Sequence, residues 1–166
     1  MAEVARAARV SRQALYLHFA DRAALFTAVV RHADELRGLP DALKRIVDAP
    51  RGTAAVMEMV ALQARLNPVI WPVARALDAV RRRDEAADRS WRDRLEHRWQ
   101  GCRAMVTRLA AEGVLRVGLD PDVATDLLWT LTSLRMWEDL VLDRSWSADE
   151  YRERVGALVL SALTGA

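Results

Sequence analysis

Cysteine is all but missing: Cys102 is the only one in 166 residues. A single thiol excludes an intramolecular disulfide and any cysteine-based metal framework. Glycine and proline are sparse, at seven and five, and aromatic residues make up only 6% of the chain. With β-branched and aromatic residues so thinly spread, the composition argues against an all-β fold. No apolar run approaches the roughly 18 residues that a bilayer crossing requires. The opening residues Met1 to Arg6 lack the charged-then-apolar layout of a signal peptide, so a soluble, cytoplasmic protein is expected. Catalytic motifs are missing too. There is no glycine-rich phosphate loop, no His-x-x-x-His and no Glu-x-x-His pair. Glu96 and His97 are adjacent and so point to different faces of a helix. Nothing local suggests a Ser-His-Asp set. The expectation is a protein without enzymatic activity, metal or cofactor.

What the chain does contain is a helical composition. Hydrophobic residues reach 52% and charged residues 29%, enough to pack a core. Alanine, leucine and arginine dominate, and all three favour helices, so the expected fold class is all-α. The net charge of +2 is too mild to identify a nucleic-acid partner. Its distribution says more. Up to His32, Arg6, Arg9, Arg12, Arg22 and Arg31 face only Glu3 and Asp21, an excess of three positive charges. Lys44 is the only lysine, and arginine replaces lysine everywhere, a bias of base composition rather than of function.

Caps and apolar spacing divide the chain. Val4, Ala5 and Ala8 form one side of a first short helix that breaks at Arg9-Val10. Ser11 is an N-cap, and Val10 with Leu15 has the spacing of a hydrophobic staple. Leu15, Phe19 and Ala14 form the buried side of the second helix. Asp21 caps a third, with Leu25, Phe26, Val29 and Val30 at helical spacing, ending at Gly38-Leu39-Pro40. A short helix is expected from Asp41 to Ala49, and an almost wholly apolar one from Thr53 to Leu66. Asn67-Pro68 reads as a new N-cap with proline in the first turn, and Pro72 as a kink or delay. Long helices follow from about Asp84 to Glu112, from Asp120-Pro121 to Leu142, and from Ser147. The last has a Ser147–Glu150 capping box with Trp146 and Tyr151 as staple. Short helices before Gly38 and long ones after it suggest two units, 1–38 and 39–166.

The two short helices that meet at Ala8-Arg9-Val10 are the element able to carry a function. A serine-capped helix presenting Arg12, Gln13, Ala14 and Leu17 can enter a DNA major groove. Arginine can pair bidentately with guanine and glutamine with adenine. Tyr16, His18 and Arg22 can hydrogen-bond phosphate oxygens, which sets register rather than sequence. The helix N-termini at Ser11 and Asp21 favour phosphate as well.

The stretch from Val4 to Phe26 closely resembles the DNA-binding signature of the TetR family of transcriptional regulators. It matches at Ala5, Ala8, Val10, Ser11, Leu15, Tyr16, His18, Phe19 and Leu25. The segment Gly113 to Leu163 also resembles the family's regulatory domain, with Leu119-Asp120-Pro121 before an apolar helix and Ser145 to Tyr151 before the last one. Three positions depart from the pattern. The family's turn glycine is Arg9 here, which costs about 1 kcal/mol if its φ is positive. The family's lysine after the third cap is Arg22. A further helix normally precedes Val4 and braces the helix-turn-helix, so the DNA-binding module is expected to be incomplete at its N-terminus.

The resemblance implies a homodimer on a palindromic operator, with the last two long helices packing against the partner's pair. The apolar faces of those helices agree. Leu127, Leu131, Leu134, Gly156, Leu160 and Leu163 are the expected contacts of an isologous twofold interface. The resemblance also implies a small apolar effector in the regulatory domain. Met57, Val60, Trp71, Trp99, Cys102, Met105 and Trp129 are the expected lining, being large or adaptable residues on the middle helices. Double-stranded operator DNA, the effector and a second copy of the chain are thus the expected partners. The competing reading is a helical dimer that binds a ligand or protein and has lost DNA binding with its first helix.

Overall fold

The computed structural model describes residues 1–22, 24, 25, 27–29, 32 and 38–165. Phe26, Val30 and Arg31 lie outside the described residues.

Local capping builds the N-terminal part. Helix α1 (Ala2–Ala7) stops at Ala8, and the Val10 N–H donates to the Ala5 carbonyl at 3.0 Å. Arg9 between them has a φ of 56°, the left-handed region that a side chain disfavours. Helix α2 (Arg12–His18) is capped by Ser11, whose Oγ accepts the Ala14 N–H at 3.0 Å. Asp21 Oδ1 accepts the Ala24 N–H at 2.7 Å and opens α3, described at residues 22, 24, 25, 27–29 and 32. Ala5 and Leu15 are buried between these short helices, Phe19 is half-buried, and Val4 is exposed.

A helical bundle follows. Gly38, at a φ of 68°, leads into α4 (Leu39–Asp48), with Pro40 in its first turn. Helix α5 (Gly52–Arg81) is 30 residues long and runs through both Pro68 and Pro72. The expected break at Asn67 is therefore corrected: Asn67 is a buried residue inside the helix, not its cap. An interior proline costs about 3 kcal/mol through the lost N–H and the ring's clash. Here the two prolines are one turn apart and both exposed, on the side where a helix can curve and stretch its hydrogen bonds. Val56, Val60 and Ala64, on the turns before the prolines, are held in the core and keep the helix in register.

Asp84 caps α6 (Glu85–Ala111), accepting the Ala86 and Ala87 N–H groups at 3.1 and 3.2 Å. Helix α7 (Pro121–Leu131) starts at the expected Asp120 cap but ends eleven residues before Leu142. Thr132 Oγ1 donates to the Leu128 carbonyl at 2.6 Å, and Ser133 Oγ accepts the Met136 N–H at 3.1 Å. These adjacent hydroxyls satisfy the backbone locally and let the helix stop. A short α8 (Leu134–Trp137) and a π-helical segment, Glu138–Asp143, complete the stretch. Helix α9 (Ala148–Leu163) carries the expected capping box, with Ser147–Glu150 bonds of 3.1 and 3.0 Å.

Helix α5 is central, packed against α4, α6, α9 and α8. The core joins Val56, Val60, Cys102, Val106, Leu109, Leu128, Trp137, Tyr151, Val155, Val159 and Leu163. Among the described residues the only β-type pairing is an isolated bridge, Leu115 with Thr164, which ties the end of α9 to the α6–α7 loop. None of the helices among the described residues is long and apolar enough to cross a membrane.

Candidate nucleic-acid interface

Helix α2 has a sharply divided surface. Leu15 is buried and Ala14 half-buried, whereas Ser11, Arg12, Gln13, Tyr16, Leu17 and His18 are exposed. Leu17 is 82% exposed, too open for a core residue and suited to apolar contact with a partner. At 1.5 Å per residue the seven-residue rod is about 10 Å long, short enough to lie end-on in a major groove about 12 Å wide. Arg12 and Gln13 occupy its first turn, the part of a recognition helix that reaches base edges. Arg6, Arg9 and Arg12 make no ion pair among the described residues, so this end of the molecule presents unneutralised positive charge. The His18 and Phe19 rings are tilted against one another with centroids 6.4 Å apart.

Arg22 stands apart from the other expected contacts. Its guanidinium forms an ion pair with the carboxylate of Asp84, the N-cap of α6. One side chain thus joins the start of α3 to the helical bundle. Sequence spacing gave no sign of this, because 62 positions separate the two residues.

The seven expected effector contacts differ in burial. Val60, Cys102 and Met105 are buried in the core, and Met57, Trp71, Trp99 and Trp129 are half-buried. Trp99 turns to the surface, where its Nε1 donates to Asp126 Oδ1 at 3.0 Å and the Arg103 guanidinium lies 5.3 Å from its ring. Burial pushes the Cys102 thiol pKa up, as for a packed core residue rather than a reactive one. Two open clefts, of about 430 and 490 Å3, both lie against α4 and contain none of the seven residues. Asp41 and Arg45 line both, with Leu62, Leu66 and Val69 in the first. Polar groups around Arg98, Thr132 and Tyr151, buried between the helices, were not singled out from sequence. Arginine is so frequent in α6 that one inward-facing copy has no distinguishing signal.

The expected dimer contacts divide likewise. Leu127 is exposed on α7, and Leu131, Leu134 and Leu160 are half-buried. Gly156 and Leu163 instead face the subunit's own core. Leu163 is fully buried, and a Cβ on Gly156 would fall 2.6 Å from the Met57 sulfur of α5. Val123 and Leu158, about half exposed on α7 and α9, face outward there together with Leu127.

With the geometry in place, the chain can be set beside known proteins. Residues 1–29 match the family described as bacterial regulatory proteins, tetR family. A crystal structure of a protein described as a TetR-family transcriptional regulator, from Rhodococcus sp., is similar over 98% of this chain and 86% of its own. Its TM-score is 0.67 and its identity 19%, a likeness that shows the fold. No curated protein matches the chain. The family match covers residues 1–29 alone, and the likeness to the solved structure is one of fold.

Proposed function

We propose that this TetR-like chain is a ligand-responsive transcriptional regulator, acting as a repressor, that binds a palindromic operator as a homodimer in the cytoplasm. Residues 1–38 are the DNA-binding unit and residues 39–166 the ligand-binding and dimerisation unit. The observation that carries this reading is the division of α2, with Leu15 inside and Arg12, Gln13, Tyr16, Leu17 and His18 all turned to solvent behind the Ser11 cap. Arg12 and Gln13 read bases; Tyr16 and His18 hold phosphates; Arg22 does so once released from Asp84.

The dimer forms along α7 and α9, through Leu127, Leu131, Leu134 and Leu160, joined by the outward Val123 and Leu158. Ligand binding shifts the spacing of the two α2 helices, which must fit major grooves about 34 Å apart. The test is a mobility-shift assay on the intergenic DNA flanking the gene, followed by footprinting. A protected palindrome supports the reading. Binding no tighter than to random DNA at matched salt refutes it.

A further inference from the structure

A guanidinium without a carboxylate sits in the middle of the regulatory bundle. Arg98 of α6 is half-buried, and among the described residues no acidic side chain lies within ion-pair distance of it. Its recorded acceptors are neutral: the Trp129 carbonyl and, at 2.9 Å, Thr132 Oγ1. The Trp129 ring lies beneath it, 5.1 Å from the guanidinium carbon. A guanidinium has five N–H donors, and both of these bonds use one terminal nitrogen. The positive charge and most of its donors are therefore unmatched.

Around it are polar groups in the same condition. Tyr151 of α9 is fully buried, its hydroxyl has no hydrogen-bond partner, and it lies close enough to Arg98 for the guanidinium charge to act on it. Asn67 is 5% exposed with an unpartnered Nδ2, and the buried Gln63 Oε1 is also unpartnered. The helix register brings these residues to one level. Gly52 meets Leu109 and Glu112 across antiparallel α5 and α6, and Gly156 meets Met57 across α5 and α9. Counting equal steps along each helix from those contacts places Arg98 and Tyr151 level with about residues 62 to 66 of α5. Native interiors rarely leave donors orphaned, because each costs its full desolvation energy. Two buried donors and an unneutralised cation at one level describe a site short of an anion.

We infer that Arg98 and Tyr151 bind the carboxylate of an organic acid with an apolar body, and that this acid is the effector. Arg98 supplies the bidentate fork, the Tyr151 hydroxyl a further donor, and Trp129 an apolar wall. Burial pushes the Tyr151 pKa up to about 12, so the hydroxyl keeps its proton and donates. The carboxylate competes with the Trp129 carbonyl and Thr132 for Arg98. Those acceptors end α7, where the chain breaks before the π-helical segment, so binding acts directly on a helix end of the proposed dimer face.

The inference rests on the regulator reading for its meaning, but its test does not use DNA. Purified protein is titrated with straight-chain carboxylates from butyrate to octanoate, benzoate and phenylacetate, by calorimetry and tryptophan fluorescence. Primary alcohols of equal length serve as uncharged controls. At least one acid should bind saturably in the millimolar range or below, about tenfold or more tighter than its alcohol. Arg98→Met should abolish that preference yet fold, because an apolar residue of similar size can replace a buried ion without loss of stability. Tyr151→Phe should weaken the acid about fivefold while leaving the ligand-free melting temperature at or above that of wild type, since the lost hydroxyl had no partner and its desolvation cost goes with it. No saturable acid binding, equal affinity for acid and alcohol, or unaltered acid affinity in Arg98→Met overturns the inference. An acid that binds a protein unable to recognise operator DNA sinks the regulator reading and leaves the site standing. Operator binding without acid binding does the reverse.

Discussion

The guanidinium of Arg22 lies against the carboxylate of Asp84, so the residue after the third helix cap is tethered to the cap of α6. The Arg22 side chain is 52% exposed and that of Asp84 15%, a pair open enough to contribute at most about 1 kcal/mol. A weak tether of this kind can be exchanged for a phosphate. Asp84→Asn retains the cap, because asparagine is as good an N-cap as aspartate, but releases Arg22. Operator affinity should rise, and the log–log salt dependence should steepen by about 0.9 for one added phosphate contact. Mobility shifts across a salt series measure both. An unchanged slope would mean that Arg22 does not reach DNA.

Arg9 occupies a left-handed backbone position, with a φ of 56°. Glycine there removes the strain at small cost to anything else, since Arg9 is exposed and has no ion-pair partner among the described residues. Arg9→Gly should stabilise the α1–α2 turn by about 1 kcal/mol. Amide exchange over α2 reads this local gain better than a global melt. Faster exchange in the variant would contradict it.

The exposed residues of α2 should separate by role. Gln13→Ala should change base preference at one operator position, with about 1–3 kcal/mol of discrimination lost. Tyr16→Ala should weaken binding on every sequence tested and leave preference unaltered. Selection from randomised operators distinguishes the two. Identical binding profiles would remove the assignment of base reading to Gln13 and phosphate contact to Tyr16.

Glu112 joins the start of α5 to the end of α6. Its carboxylate accepts the Gly52 N–H at 2.7 Å and the Arg108 side chain at 3.0 Å. The Gly52 N–H first, then the Arg108 hydrogen bond, hold its carboxyl below the usual range. A lowered folded-state pKa stabilises the fold above the unfolded-state value and loses that stabilisation as pH falls through the folded-state value. Glu112→Gln should therefore melt below wild type near neutral pH, with the two curves converging in acid. Parallel curves down to acid unfolding would show that this carboxyl does not contribute to the pH dependence.

Gly156 and Met57 test which way α9 faces. A Cβ at Gly156 would meet the Met57 sulfur and methyl at 2.6 and 2.7 Å, although that flexible end can yield partly. Gly156→Val should cost about 1–3 kcal/mol by overpacking, with a loss independent of protein concentration, and Met57→Ala should restore part of it. A loss that appears only as weaker dimerisation would instead place Gly156 between subunits.

What the residues fixed by themselves was local. Ser11, Asp21, Asp120 and Ser147 each cap a helix through a side chain that reaches only two or three residues along the chain, so the start of each element could be read from order alone. The outward set on α2 follows from helical period once Leu15 is taken as the inner position. The tertiary structure decided whatever depends on neighbours distant in sequence. Burial of Val56, Val60 and Ala64 carries α5 past two prolines that its own propensity would treat as a stop. The apolar arc of α9 looks alike on several sides, and only the position of Met57 shows that Gly156 and Leu163 turn inward. Arg22 and Arg98 belong to a chain in which arginine is common everywhere. Packing alone gave one the Asp84 carboxylate and left the other without an anion, because charge neutralisation depends on proximity in space and not along the chain.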